Sequence, residues 1–162
     1  NGSVEPRNIT LDMSRESFRA TFASAMQSVP HAVGVSNHQG SLLTRHPGHM
    51  AWLMQEIRGR QDLFFIDSYT TRHSVALKLA QEEGVPAVRR DIFLDHERTV
   101  AAVERELERL KAKAREKGYA IAIGHPFPET LEVLERALPL LEEQGFSLVT
   151  SSELLQADWN RI

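Results

Sequence analysis

The chain has 162 residues, 41% hydrophobic and 25% charged, with a formal net charge of −3. That is enough length for one buried core, and the balance offers no basic face for nucleic acid. There is no apolar run of about 18 residues to span a membrane, no recognisable secretory leader, and no cysteine for a disulfide, a thiolate nucleophile or a cysteine metal site.

Residues 1–13 read as a polar loop or edge segment around Pro6. Asn1-Gly2-Ser3 reads as the trimmed start of something longer, and Asn8-Ile9-Thr10 matches a glycosylation triplet. Ser14 is a helix N-cap, and Phe18, Phe22, Ala25, Met26 and Val29 recur at helical spacing, which predicts a helix over 15–28 stopped by Pro30. Ala32 to Val35 is a short strand that ends in Ser36-Asn37-His38-Gln39-Gly40-Ser41. Pro47 opens a second helix, with Met50, Leu53, Met54 and Ile57 on one face and Gly59 closing it. Leu63 to Ile66 is the next strand, ending in Asp67-Ser68-Tyr69. A helix over 74–83, a strand from Val85 to Val88 and Arg89-Arg90-Asp91 follow.

Asp95 or Thr99 caps the longest helix, whose stripe is Val100, Val103, Leu107, Leu110 and Ala114. The charges between them read as a solvated face, and Gly118 ends it. Tyr119 to Ile123 is a strand ending in Gly124-His125-Pro126. A helix over 129–143, a strand from Phe146 to Val149 and a short helix capped by Ser151 complete the chain. Strands and helices alternate, and the strands are continuously apolar. This predicts a single α/β domain with a parallel sheet and crossover helices.

In a parallel sheet every strand delivers its last residue to the same edge. That edge should gather Asn37 and His38, Asp67 and Ser68, Arg90 and Asp91, and His125. Two imidazoles and a carboxylate suit zinc or a similar divalent ion with an open position for water. A second histidine beside it could protonate a leaving group, and an arginine could hold a substrate anion. No Gly-rich phosphate loop or nucleophile elbow is present, which weighs against phosphoryl transfer through Arg90 or a serine nucleophile at Ser41 or Ser68. His31, His46, His49, His73 and His96 are expected in loops or on helix surfaces. His46 and His49, three apart, are within reach of one ion but are read as surface residues.

The four blocks Val33 to Ser41, Phe64 to Thr71, Arg90 to Asp95 and Ala122 to Pro126 resemble, in order and spacing, the divergent polysaccharide deacetylase family. The resemblance covers about Leu11 to Leu155. It implies a deformed (β/α) barrel related to metal-dependent carbohydrate esterases that remove acetyl groups. It also implies a metal held by His38, a partner from the missing segment and either Asp91 or His125. Asp91 would be the assisting carboxylate and His125 the acid; the strand-end reading itself places Arg90 with the catalytic groups and Asn37, Asp67 and Ser68 toward substrate. The substrate would be a carbohydrate, peptidoglycan included, in the periplasm or cell envelope. The early Asp pair of ordinary deacetylases has no match here, and position 42, where they place a second histidine, is Leu. The chain is therefore expected to be part of a longer one whose first strands lie elsewhere. Two functions follow: a metal-dependent deacetylase, or a non-catalytic glycan- or envelope-binding domain on the same fold.

Overall fold

The computed structural model describes residues 8–60 and 63–159. Of the loop read over 1–13, residues 1–7 lie outside them, and residues 8–13 form neither helix nor strand. The chain divides into two compact units, Asn1–Val88 with Leu155–Ile162, and Arg89–Leu154. Among the described residues no helix is long and apolar enough to cross a membrane.

In the first unit, α1 (Arg15–Ser28) starts where the Ser14 hydroxyl accepts the Ser17 N–H at 3.1 Å, and it buries Phe18 and Phe22. The side-chain oxygen satisfies one of the N–H groups that a helix start leaves without a partner. β1 (Gly34–Ser36) pairs in parallel with β2 (Phe64–Asp67) in the register Gly34↔Phe64, Val35↔Phe65, Ser36↔Ile66. β3 (Ala87–Arg89) completes the sheet order β1-β2-β3. Gly34 is required there, because any Cβ would overlap the Phe64 ring. The connection between β1 and β2 contains α2 (Pro47–Arg58), which buries the predicted stripe Met50, Leu53, Met54 and Ile57. α3 (Ala76–Glu82) contributes Ala76 and Ala80 to the same core as Phe18, Met54 and Phe65.

In the second unit, β4 (Ile92–Phe93) pairs in parallel with β5 (Ala122–Ile123), register Ile92↔Ala122 and Phe93↔Ile123. α4 (Val100–Lys117) connects them. Thr99 is its cap, accepting the Ala102 N–H at 3.2 Å, and Gly118 at φ +86° ends it in the left-handed conformation that glycine adopts without strain. Its apolar stripe packs Val103 and Leu107 against Ile92, Leu94 and Val133 of α5 (Pro128–Ala137). The charged face of α4 is not wholly solvated, since Glu106 is buried and bound through both oxygens by Arg109.

Several expectations are corrected. The two-residue β4 was not foreseen. The helix expected over 129–143 ends at Ala137 and continues as a 3-10 turn, Leu138–Leu140, because Pro139 has no N–H for the helical ladder. Residues 146–149 form no strand. Leu148 and Val149 are 68% and 58% exposed, and Phe146 instead packs under the Arg115 guanidinium, 4.7 Å from the ring centre. α6 (Ser151–Trp159) is capped by Thr150 rather than Ser151. The Thr150 Oγ1 accepts the Glu153 N–H at 3.2 Å while Glu153 accepts the Thr150 N–H at 2.7 Å, a reciprocal capping box.

Candidate functional site

The parallel register of the second unit decides which side chains meet. Beyond β4 the chain continues as Leu94-Asp95, and beyond β5 as Gly124-His125. The Leu94 N–H still donates to the Ile123 carbonyl at 2.9 Å, so the two strand ends leave the sheet side by side. Asp95, its side chain 1% exposed, accepts the backbone N–H of His125, the His125 ring at Nδ1 (3.0 Å) and the Thr130 hydroxyl (2.9 Å). Burial alone would raise the Asp95 pKa. The hydrogen bonds from His125 and Thr130 and the imidazole charge outweigh it and hold the carboxyl below its ordinary value. Gly124 sits where a Cβ would stand 3.2 Å from Asp95 Oδ2, so the glycine makes room for the carboxylate.

A carboxylate on Nδ1 fixes the imidazole tautomer, with the Nδ1 proton toward Asp95. Nε2 lies across the ring from that bond. The ring is 40% exposed and lies among Phe93 (centres 5.7 Å apart) and Phe127 (5.0 Å, 29°).

Asp91, expected as the assisting carboxylate, lies at the amino end of β4, away from this edge of the sheet. It accepts the Ile121 N–H at 3.0 Å and the Lys117 ammonium at 3.1 Å. The carboxylate that holds His125 is Asp95, which the sequence reading offered only as a helix cap. Arg90 lies over the Phe93 ring, 5.1 Å from its centre.

At the carboxyl ends of β1 and β2, in the first unit, polar groups bind one another. Asn37 Oδ1 accepts the Ser68 N–H at 2.9 Å, the Ser68 hydroxyl donates to the Asn37 carbonyl, and the Ser36 and Ser68 hydroxyls lie 2.9 Å apart. Asp67 is fully buried. It accepts the Tyr69 N–H at 2.8 Å and the Ser74 hydroxyl at 2.9 Å, so it shapes the loop. That loop holds Tyr69 at φ +50°, and the β1 end holds Gln39 at φ +54°, both strained for a residue with a Cβ. The Thr70 hydroxyl ties the two loops by donating to the Gln39 carbonyl at 3.2 Å. His38 is exposed beside this network.

His49, expected on the surface, is buried at 4% exposure, with its Nδ1 2.9 Å from that of His46. His46 also caps α2 through the same nitrogen, which accepts the His49 N–H at 3.4 Å. Burial, then the neighbouring His46 charge, push the His49 pKa down, against the pull of the Leu11 carbonyl.

The structure thus joins Asn37 with Ser68, puts Asp67 in the same loop pair, and joins His125 with a residue the sequence reading did not choose. Among the described residues no three histidine, cysteine, aspartate or glutamate side chains gather around one point. The donor set present does not by itself fit a zinc ion, which takes at least three protein ligands.

The family model for divergent polysaccharide deacetylases matches residues 1–155. Uncharacterized protein YibQ of Escherichia coli K12 is 36% identical over 152 residues, 94% of this chain and 47% of its own length. An uncharacterized protein of Haemophilus influenzae is 40% identical over 140 residues, 86% of this chain and 50% of its own. The chain spans about half the length of these curated relatives. The crystal structure of uncharacterized protein ATU2773 from Agrobacterium tumefaciens C58 superposes with a TM-score of 0.85 at 24% identity, covering 88% of this chain and 58% of that one. That likeness shows the fold, an α/β fold with parallel strands that is consistent with a deformed (β/α) barrel. The chain belongs to the divergent polysaccharide deacetylase family.

Proposed function

We propose that this chain is the deacetylase-like part of a hydrolase that removes acetyl groups from a carbohydrate, with His125 as the proton-moving residue. The observation behind this reading is the Asp95–His125 pair at the carboxyl ends of adjacent parallel strands. With Nδ1–H on Asp95, Nε2 takes a proton from a water that adds to the acetyl carbonyl. The buried carboxylate steadies the imidazolium. The same proton then passes to the departing amine or hydroxyl as the C–N or C–O bond breaks, leaving acetate and the deacetylated sugar. Asp95 is a positioning residue and does not meet the substrate.

A divalent metal, zinc by its affinity for imidazole, belongs to the proposal only with ligands from outside the described residues, to which His38 or His125 would add one nitrogen. When bound it would supply an electrophile for the carbonyl. A peptidoglycan-type substrate, and the periplasm or cell envelope as the setting, are proposed with the family.

The mutual bonding of Ser36, Asn37 and Ser68 favours a second reading, a glycan-binding domain without turnover. The test is acetate release by the full natural chain from N-acetylglucosamine oligosaccharides, peptidoglycan and O-acetylated polysaccharide, with and without added zinc, cobalt or manganese. Release supports the hydrolase. Glycan binding without release on any of these supports the binding domain.

A further inference from the structure

Among the described residues, one guanidinium next to the Asp95–His125 pair meets no carboxylate. The Arg98 carbon lies 3.8 Å from the centre of the Phe127 ring, and Phe127 in turn stacks on His125 at 5.0 Å. Arg98 is exposed, yet among the described residues no carboxylate pairs with it. Its neighbour Glu97 is turned to Arg105 (3.5 Å) and to the Thr99 hydroxyl (3.4 Å). Glu129, in the first turn of α5, makes no ion pair with it either. A guanidinium this close to a ring centre uses its flat face on the ring, which attracts the cation and restrains the side chain. Its N–H groups lie in the guanidinium plane, in a fork that matches two oxygens of a carboxylate or phosphate.

We propose that Arg98 is an anion anchor one aromatic ring from His125, and that the acetylated sugar taken at this site bears a carboxylate or phosphate. Phe127 is the positioning residue that spaces the anchor from the proton-moving ring. The inference rests on the reading of His125 given above and adds the charge of its substrate.

The experiment measures the affinities of the full natural chain for three sugars that share an acetamide: N-acetylmuramic acid, with a carboxylate; N-acetylglucosamine 6-phosphate; and neutral N-acetylglucosamine. The expected result is a preference of about tenfold for at least one charged sugar, lost in Arg98→Gln and weakened in Phe127→Leu. The arm that shows the preference distinguishes carboxylate from phosphate. Equal affinities for charged and neutral sugars, or a preference that survives in an Arg98→Gln protein with unchanged melting temperature, would overturn the anchor while leaving the carbohydrate reading intact. Failure to bind any of the three would overturn the carbohydrate reading, and the anchor with it.

Discussion

Asp95 holds His125 twice, once through the backbone N–H and once through Nδ1 at 3.0 Å. The double attachment fixes both where the histidine leaves β5 and how its ring is turned. Replacing Asp95 by Asn keeps the size but lets the ring take the other tautomer. Asp95→Asn should lower turnover on an acetylated carbohydrate by about 10²-fold or more, and His125→Ala by a similar factor. The double variant should be little worse than either single one, because the two side chains act as a unit. Initial rates of acetate release for the four proteins check this.

The same pair links stability to pH. The folded-state pKa of Asp95 is depressed, so its contribution is fully present above the ordinary aspartate pKa and is lost as pH falls through the folded value. The stability difference between wild type and Asp95→Asn should be about 2 kcal/mol near neutral pH and should shrink steadily in acid. Urea denaturation at a series of pH values reads it out.

His49 titrates in another window. Its folded-state pKa is lowered, so the unfolded chain takes up a proton first, and stability falls as pH drops below the ordinary histidine value of about 6.5 toward the folded value. His49→Asn keeps a nitrogen donor for His46 and removes the titration. Its melting temperature should depend less on pH between 7 and 5 than that of wild type.

Asp91 provides the contrast with Asp95. It secures the opposite end of β4 through the Ile121 N–H and Lys117. Lys117 feels burial, which lowers its pKa, but the bonds to Asp91 and Tyr119 raise it overall. Asp91→Asn should cost about 1 kcal/mol of stability and leave acetate release per folded molecule within about twofold. A loss of turnover as large as that of Asp95→Asn would return Asp91 to the chemistry.

Gly124 tests how tightly the carboxylate is placed. An alanine there would set a methyl 3.2 Å from Asp95 Oδ2, inside ordinary contact, while the buried carboxylate is held on three bonds. Gly124→Ala should therefore reduce turnover about tenfold through a small displacement of the pair, at a stability loss of about 1–3 kcal/mol. A crystal structure of the variant would show whether the Nδ1 bond has lengthened.

The helices were legible because their signals are local. Ser14 and Thr99 as caps, Gly118 as a stop and the Met50–Ile57 stripe all depend on residues within a few positions. The strands were harder. β4 is two residues long, too short a run to mark a strand, and Phe146 to Val149 has strand composition yet forms no strand, so local composition decided neither place. Asp95 was missed for the same reason. Its neighbours Asp-His-Glu-Arg-Thr read as the approach to a helix, and only the register Phe93↔Ile123 brings the residue two beyond β4 against the residue two beyond β5. Tertiary pairing over 30 residues of sequence leaves no local mark. The Asn37–Ser68 contact was legible because adjacent parallel strands, here β1 and β2, send their ends to the same edge.

The most direct test of the central claim compares acetate release by the full natural chain with that of His125→Ala, on the best acetylated carbohydrate found, with matched metal content and confirmed folding. The account predicts release by the wild type and a loss of about 10²-fold or more in the variant. Equal release by both proteins, or none by the wild type on any acetylated carbohydrate, would contradict it.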